Sequence, residues 1–259
     1  MTINRKKIKY VPGTYVRQKP DVVQLAEEHI QGWLKKQPKI KLIQVEPQQI
    51  QPAICFSRKI GVGALEIADL LAEKLNYCVA DRELLDYMAR NKKLGKQTIA
   101  FFDERYPGKI SELAALLFGE RSFMMSDYIR NFISTAYAFA SMASTIFVAR
   151  GVHLFLPRER LLVVRIICSD QKRISRLGKI LNVEEKEAGS ILRKVDKEQR
   201  EFFKKAYGKT EASSDEFDMV INCDFIDNPR SVAEIIARAF NEKFSEELSQ
   251  TQAARKKAI

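Results

Sequence analysis

Residues 53–75 place an apolar run, Ala53-Ile54-Cys55-Phe56, before a glycine turn, Gly61-Val62-Gly63, and then repeat Ile67, Leu70, Leu71 and Leu75 at helical spacing. A short run without polar alternation suits a strand buried on both faces, and the later periodicity is that of an amphipathic helix. A strand that turns through glycines into a helix opens an α/β unit, in which a parallel sheet is covered by helices on both faces.

The rest of the chain extends this alternation. Helical patterns are expected at about 82–91, 95–105, 109–118 and 122–143, followed by an apolar strand, Thr145 to Ala149. A further strand, Leu161 to Cys168, precedes helices at about 170–181 and 184–206. The last strand, Met219 to Cys223, leads into a helix from about Arg230 to Phe240. Asn131 to Ala149 carries no charge, but seven of its nineteen residues are Asn, Ser, Thr or Tyr, so it reads as a helix and a strand and not as a membrane span. There is no internal repeat.

These signals divide the 259 residues into an N-terminal extension (1–52), a main domain (53–244) and a polar tail (245–259). The extension begins with a basic arm containing Pro12-Gly13. From Pro20 it continues as an amphipathic helix through Val22, Leu25, Ala26, Ile30, Trp33 and Leu34 that is expected to dock on the main domain. His29, on the apolar side, reads as a packed residue and not a ligand. Residues 37–52 hold three prolines and five glutamines and read as a connector.

At 46% hydrophobic and 30% charged, the composition is that of a folded globular chain and excludes disordered and fibrous classes. Four cysteines without a CxxC pair and only two histidines supply neither a disulfide framework nor a metal-ligand cluster. Reduced, buried thiols and the lack of an apolar segment behind Arg5-Lys6-Lys7 point to a cytoplasmic location. The net charge of +11 is concentrated in two regions. Residues 1–50 hold ten Lys or Arg against four acids, and residues 171–211 hold twelve against seven. Either region attracts polyanions such as nucleotides or nucleic acid.

The chemistry concentrates at the glycine turn. In Ser57-Arg58-Lys59-Ile60-Gly61-Val62-Gly63-Ala64, glycines let backbone N–H groups face an anion at a positive helix end. A phosphate loop of the GxxxxGK[ST] type would have lysine where Ala64 stands, so Arg58 or Lys59 is the expected source of charge. The same turn also fits a tight strand-to-helix connection with no ligand. Arg150, directly after a strand, falls at the carboxyl edge of a parallel sheet, where ligands bind. Arg173, Arg176, Arg193 and Arg200 lie on the helices after the next strand and suit phosphate neutralisation, or a solvated helix face. Asp81, at a helix start, either caps that helix or touches a sugar or base.

Together these segments resemble the cytidylate kinase-like family, a branch of the P-loop nucleoside monophosphate kinases. The matching pieces are Ile54 to Ile67 (ICFSRKIGVGALEI), Ala72 to Leu75, Asp81 to Leu85, Val148 to Gly151, Lys194 to Glu198 and Phe217 to Asn222, in the family's order. The resemblance implies a P-loop NTPase-like parallel sheet with a helical lid, and transfer of the ATP γ-phosphate to CMP or dCMP with Mg2+. Carried over by position, Ser57, Gly61, Val62, Gly63 and Ala64 would line the phosphates. Asp81 and Arg82 would lie near the acceptor nucleotide, Arg150 would contact its phosphate, and Arg193, Asp196 and Arg200 would belong to the lid or acceptor side. Several positions depart from the family: Ala64 replaces the lysine, Asp81-Arg82-Glu83 replaces Asp-Ser-Gly, and Gln199 stands three residues after Asp196 where an arginine is usual.

Three functions follow as expectations. The first is a nucleoside monophosphate kinase-like enzyme whose Mg2+ arrives with ATP and not in a protein cage. The second is a nucleotide-binding regulatory module without turnover, and the third is non-specific nucleic-acid binding through residues 1–50.

Overall fold

The computed structural model describes residues 24, 26–29, 31, 50–91, 127–148, 150–210 and 212–248. The helices expected at 95–105 and 109–118, the basic arm, and the tail beyond 248 lie outside the described residues. Among those described, five strands form one parallel sheet: β1 (Ala53–Arg58), β2 (Cys78–Asp81), β3 (Thr145–Val148), β4 (Leu161–Ile167) and β5 (Met219–Asn222). Their order is β2-β3-β1-β4-β5, with Ile54 in register with Ile146 on one side and Leu162 on the other. The helices are α1 (Ala64–Leu75), α2 (Arg82–Arg90), α3 (Asp127–Met142), α4 (Asp170–Leu181), α5 (Glu185–Tyr207) and α6 (Pro229–Lys243).

The strands lack alternation because both faces are buried. Ile54, Phe56, Val148, Val164 and Ile166 pack beneath α1 and α6, whereas Ala53, Cys55, Ala80, Phe147 and Val163 pack beneath α2 and α3. A third cluster, Ile60, Leu177, Ala188, Leu192 and Val195, joins the glycine turn to the α4–α5 hairpin. The four cysteines are free thiols.

Four details refine the sequence reading. Cys78–Asp81 is a strand, paired with β3 from Cys78–Thr145 to Asp81–Val148, although its four residues carry no distinctive pattern. The strands read to Cys168 and Cys223 stop one residue earlier, at Ile167 and Asn222. α6 starts at Pro229, capped by Asn228, which accepts from the Arg230 N–H at 2.9 Å. Residues 245–248, read as the start of a polar tail, are helical; Leu248 packs on the α1/α6 cluster and Glu247 pairs with Arg160. Ahead of the sheet, Ala26 is fully buried in the α2/α3 cluster. The His29 ring meets Phe139 edge-on at 4.6 Å, and burial lowers its pKa, as befits a packed neutral ring. No helix of the described residues is long and apolar enough to cross a membrane.

This topology fixes where a ligand can enter. The chain leaves β1 toward the β2 edge and leaves β4 toward the β5 edge, so a crevice opens outside the carboxyl ends of β1 and β4.

Candidate functional site

The glycine turn lies at that crevice. Ile60 and Val62 are buried, at 5% and 6% exposure, and anchor it on either side. Gly61 and Gly63 between and after them adopt φ of +84° and +85°, in the left-handed region that glycine enters without steric cost. A Cβ on Gly61 would stand 2.9 Å from the Arg173 carbonyl oxygen, so the turn also needs a residue without one to approach α4. Gly63 is the N-cap of α1 and contributes no side-chain cap, which leaves first-turn N–H groups and the positive helix end for an anion.

The cation that meets Gly63 is Arg176 of α4. Its Cζ lies 3.0 Å from where a Gly63 Cβ would be, and its guanidinium pairs with Glu66 in the first turn of α1. The sequence reading expected Arg58 or Lys59 to supply this charge. Arg58 is instead 7% exposed at the end of β1, with its carbonyl accepting from Gln199 at 2.9 Å, and Lys59 is exposed. Both border a small cavity of about 70 Å3 between the turn and α4. A second cavity, of about 230 Å3, flanks the turn on its other side. It combines Cys168, Cys223, Pro229 and Val232 with the cations Lys172, Arg176 and Lys179.

Arg173 has a different position from the one expected of a phosphate ligand. It is 1% exposed, and its three nitrogens donate to the Ile60 carbonyl (2.7 Å), Asp170 (2.7 Å) and Asp196 (2.6 Å). It pins the turn to both helices of the hairpin. Asp196 thereby accepts from Arg173 through one oxygen, and it also borders a cavity beside α5. Ser57 is 7% exposed and accepts from Arg165 at 2.7 Å.

A second group lies at the β2–β3 side of the crevice. Asp81 caps α2 by accepting from the Leu84 N–H at 2.9 Å, the first of its two sequence alternatives. Arg150 is 8% exposed, with left-handed backbone at φ 66°, an uncommon conformation for a residue with a side chain. It donates to Asp86 at 2.5 Å and lies 4.0 Å over the Phe202 ring. Tyr128 donates to the same carboxylate at 2.6 Å, and Arg82 approaches it at 3.5 Å. Burial, then the Asp86 charge, push the Tyr128 phenol upward, so it remains a proton donor. Asp86 was not identified from the sequence. The available signal was its i,i+4 spacing from Arg82.

On α5, Arg193 is exposed and rests against Gly189 of its own helix. Arg200 borders a third cavity, of about 350 Å3, between α5 and β4. Thus Gly61, Gly63, Ala64 and Arg176 come together at the α1 start, and Arg82 and Arg150 come together at Asp86. Arg193 joins neither group.

The model of the cytidylate kinase-like family matches residues 53–224 of the chain. Among solved structures, an uncharacterised protein from Eubacterium ventriosum ATCC 27560 superposes with a TM-score of 0.56 at 19% identity, covering 74% of this chain and 99% of that one. A gluconokinase from Sinorhizobium meliloti 1021 matches at 16% identity and TM-score 0.41, covering 78% and 99%. A shikimate kinase from Bacteroides thetaiotaomicron matches at 14% and 0.38, covering 74% and 98%. The fold likeness rests on the first of these. No curated protein sequence matches the chain.

Proposed function

The chain belongs to the cytidylate kinase-like family, and we propose that it is a phosphotransferase of the nucleoside monophosphate kinase type, moving the γ-phosphate of ATP to CMP, dCMP or a related small acceptor. One observation carries this reading: two left-handed glycines present the start of α1 to the β1/β4 crevice, with the Arg176 guanidinium against it.

Each group has a task in such a transfer. The turn's backbone and the α1 end hold phosphate oxygens, and Arg176 supplies the charge that Ala64 lacks. Arg173 and Asp196 fix the turn against the α4–α5 hairpin, so the cradle keeps its shape. The apolar wall of Cys168, Pro229 and Val232 suits the base of the donor. Arg150, held between Asp86 and Phe202, orients the acceptor. Bound magnesium-ATP supplies the transferable phosphoryl group and metal charge on its oxygens. Leu65 stands where a phosphate loop has its metal-binding hydroxyl. Mg2+ would therefore be held chiefly by the nucleotide.

The pairing of Arg176 with Glu66, together with Ala64, favours a second reading, a module that binds nucleotide without turnover. Isothermal titration with magnesium-ATP tests what the two share: saturable binding, weakened at least about tenfold by Arg176→Gln, is expected. No binding would remove both. Release of ADP with a nucleoside monophosphate then separates them.

A further inference from the structure

Cys168 follows the last residue of β4, and Cys223 follows the last residue of β5. Ile167 and Asn222 are in register, and the Cys223 N–H donates to the Ile167 carbonyl at 2.8 Å, so the two cysteines are the next facing pair beyond the ladder. The residues after them are tied as well: Asp224 accepts from the Ser169 N–H at 2.7 Å and from the Ser169 hydroxyl at 3.0 Å. Both cysteines lie on the α1/α6 face, where Cys223 is buried and the half-buried Cys168 packs against the same cluster. Neighbouring strands run about 4.8 Å apart, inside the roughly 4.4–6.8 Å between Cα atoms that a disulfide spans. The ladder ends at Ile167 and Asn222, so the backbone beyond it can supply the last small approach of the two sulfur atoms. The other two cysteines are placed differently. Cys55 of β1 packs on the opposite face, and the Cys78 sulfur of β2 lies 3.2 Å from Thr145 Oγ1.

The pair also lines the cavity of about 230 Å3 beside the glycine turn, together with Lys172, Arg176 and Lys179. We infer that Cys168 and Cys223 are a paired dithiol that hydrogen peroxide closes to a disulfide, and that closure weakens nucleotide binding in this cavity. The Cys168 sulfur, the less buried of the two, attacks the peroxide O–O bond and becomes a sulfenic acid as the first water leaves. The Cys223 sulfur then forms the S–S bond and displaces the sulfenic oxygen, which leaves as the second water. The two thiols give up two electrons and two protons, and the peroxide takes them up. Burial, then the Asp224 charge, push the Cys168 thiol up to about 11, partly opposed by Arg173 and Lys172, so the pair reacts slowly and stays reduced without such exposure. Closure reaches the site through α4. Lys172 donates to the Cys223 carbonyl, and Ser169, next to Cys168, caps α4 by accepting from the Lys172 N–H at 3.3 Å. Drawing the strand ends together shifts the start of the helix that carries Arg173 and Arg176. The inference rests on the nucleotide-binding reading of the glycine turn and adds its regulation.

The test treats the full chain with hydrogen peroxide, counts its free thiols after denaturation and reads its magnesium-ATP affinity by isothermal titration. The count should fall from four to two, and a peptide map should join Cys168 to Cys223. ATP binding should weaken at least about tenfold, roughly what one lost charge-assisted hydrogen bond removes, and dithiothreitol should restore it. In Cys168→Ala, peroxide should leave the ATP affinity at that variant's own starting value. Four thiols remaining, or an oxidised Cys168 that is not joined to Cys223, overturns the dithiol, and both are read on the parent even where the variant does not fold. A joined pair with unchanged ATP affinity overturns the switch, as does an equal loss of affinity in Cys168→Ala. Failure of the nucleotide-binding reading shows elsewhere, as a reduced parent that does not bind ATP, while the thiol count still decides whether the bond forms.

Discussion

Arg173 of α4 and Asp196 of α5 form a buried ion pair at 2.6 Å, and the same guanidinium holds the carbonyl of Ile60 in the glycine turn. A single side chain therefore couples the turn to the hairpin that borders it. Removing Asp196 leaves one guanidinium nitrogen unpaired, with the exposed Asp170 as the remaining counter-charge. Asp196→Ala should cost about 1.5–3 kcal/mol of unfolding free energy, read from urea denaturation at pH 7. A loss below 1 kcal/mol would mean that water reaches Arg173.

Gly61 is the position where the turn tolerates least change. Alanine there would meet the Arg173 carbonyl at 2.9 Å with φ at +84°. Gly61→Ala should destabilise the fold by roughly 1–3 kcal/mol and weaken ATP binding more than that loss alone explains. Calorimetry of binding beside a thermal melt would check both, and unaltered affinity would show that the turn's shape does not matter to the ligand.

Much of this was legible in the sequence, and the exceptions have physical causes. The β1–turn–α1 unit, β4, α4 and α5 follow from short apolar runs, broken in β4 by Arg165, and clear helical periodicity. β2 was not assigned because four residues with one buried alanine do not separate a strand from a connector. Arg173 looked like a phosphate ligand because its partner Asp196 is 23 residues away, and sequence spacing does not report that contact. Arg176, three residues further and so nearly one helical turn on, points to Gly63 instead.

His153 gives the fold a pH dependence of known sign. Burial, partly opposed by Glu216, lowers its pKa from 6.5 to about 4, so the ring is neutral at pH 7 and its 3.6 Å approach to Glu216 is not an ion pair there. The unfolded chain takes up this proton at higher pH than the folded one. Stability from His153 is therefore full above pH 6.5 and falls as pH drops toward 4, by up to roughly 3 kcal/mol. Urea midpoints between pH 7.5 and 4.5 should slope less in His153→Gln than in the parent, and parallel slopes would contradict the assignment.

Arg150 is expected to act on the rate of transfer more than on the fold. Arg150→Ala should lower kcat with the best acceptor by about 10³-fold or more, as loss of an oriented cation does in phosphoryl transfer. The Asp86 carboxylate keeps its hydrogen bond from Tyr128 at 2.6 Å, so the variant should remain folded by circular dichroism. An unchanged kcat would place the acceptor away from Arg150.

Transfer of phosphate in the crevice is read out by ADP release from magnesium-ATP across the nucleoside monophosphates, repeated with Arg176→Gln. A phosphotransferase should give acceptor-dependent ADP release, strongest with one monophosphate and lost in the variant. Saturable ATP binding with no ADP release above background for any acceptor would contradict it and leave the chain a nucleotide-binding module.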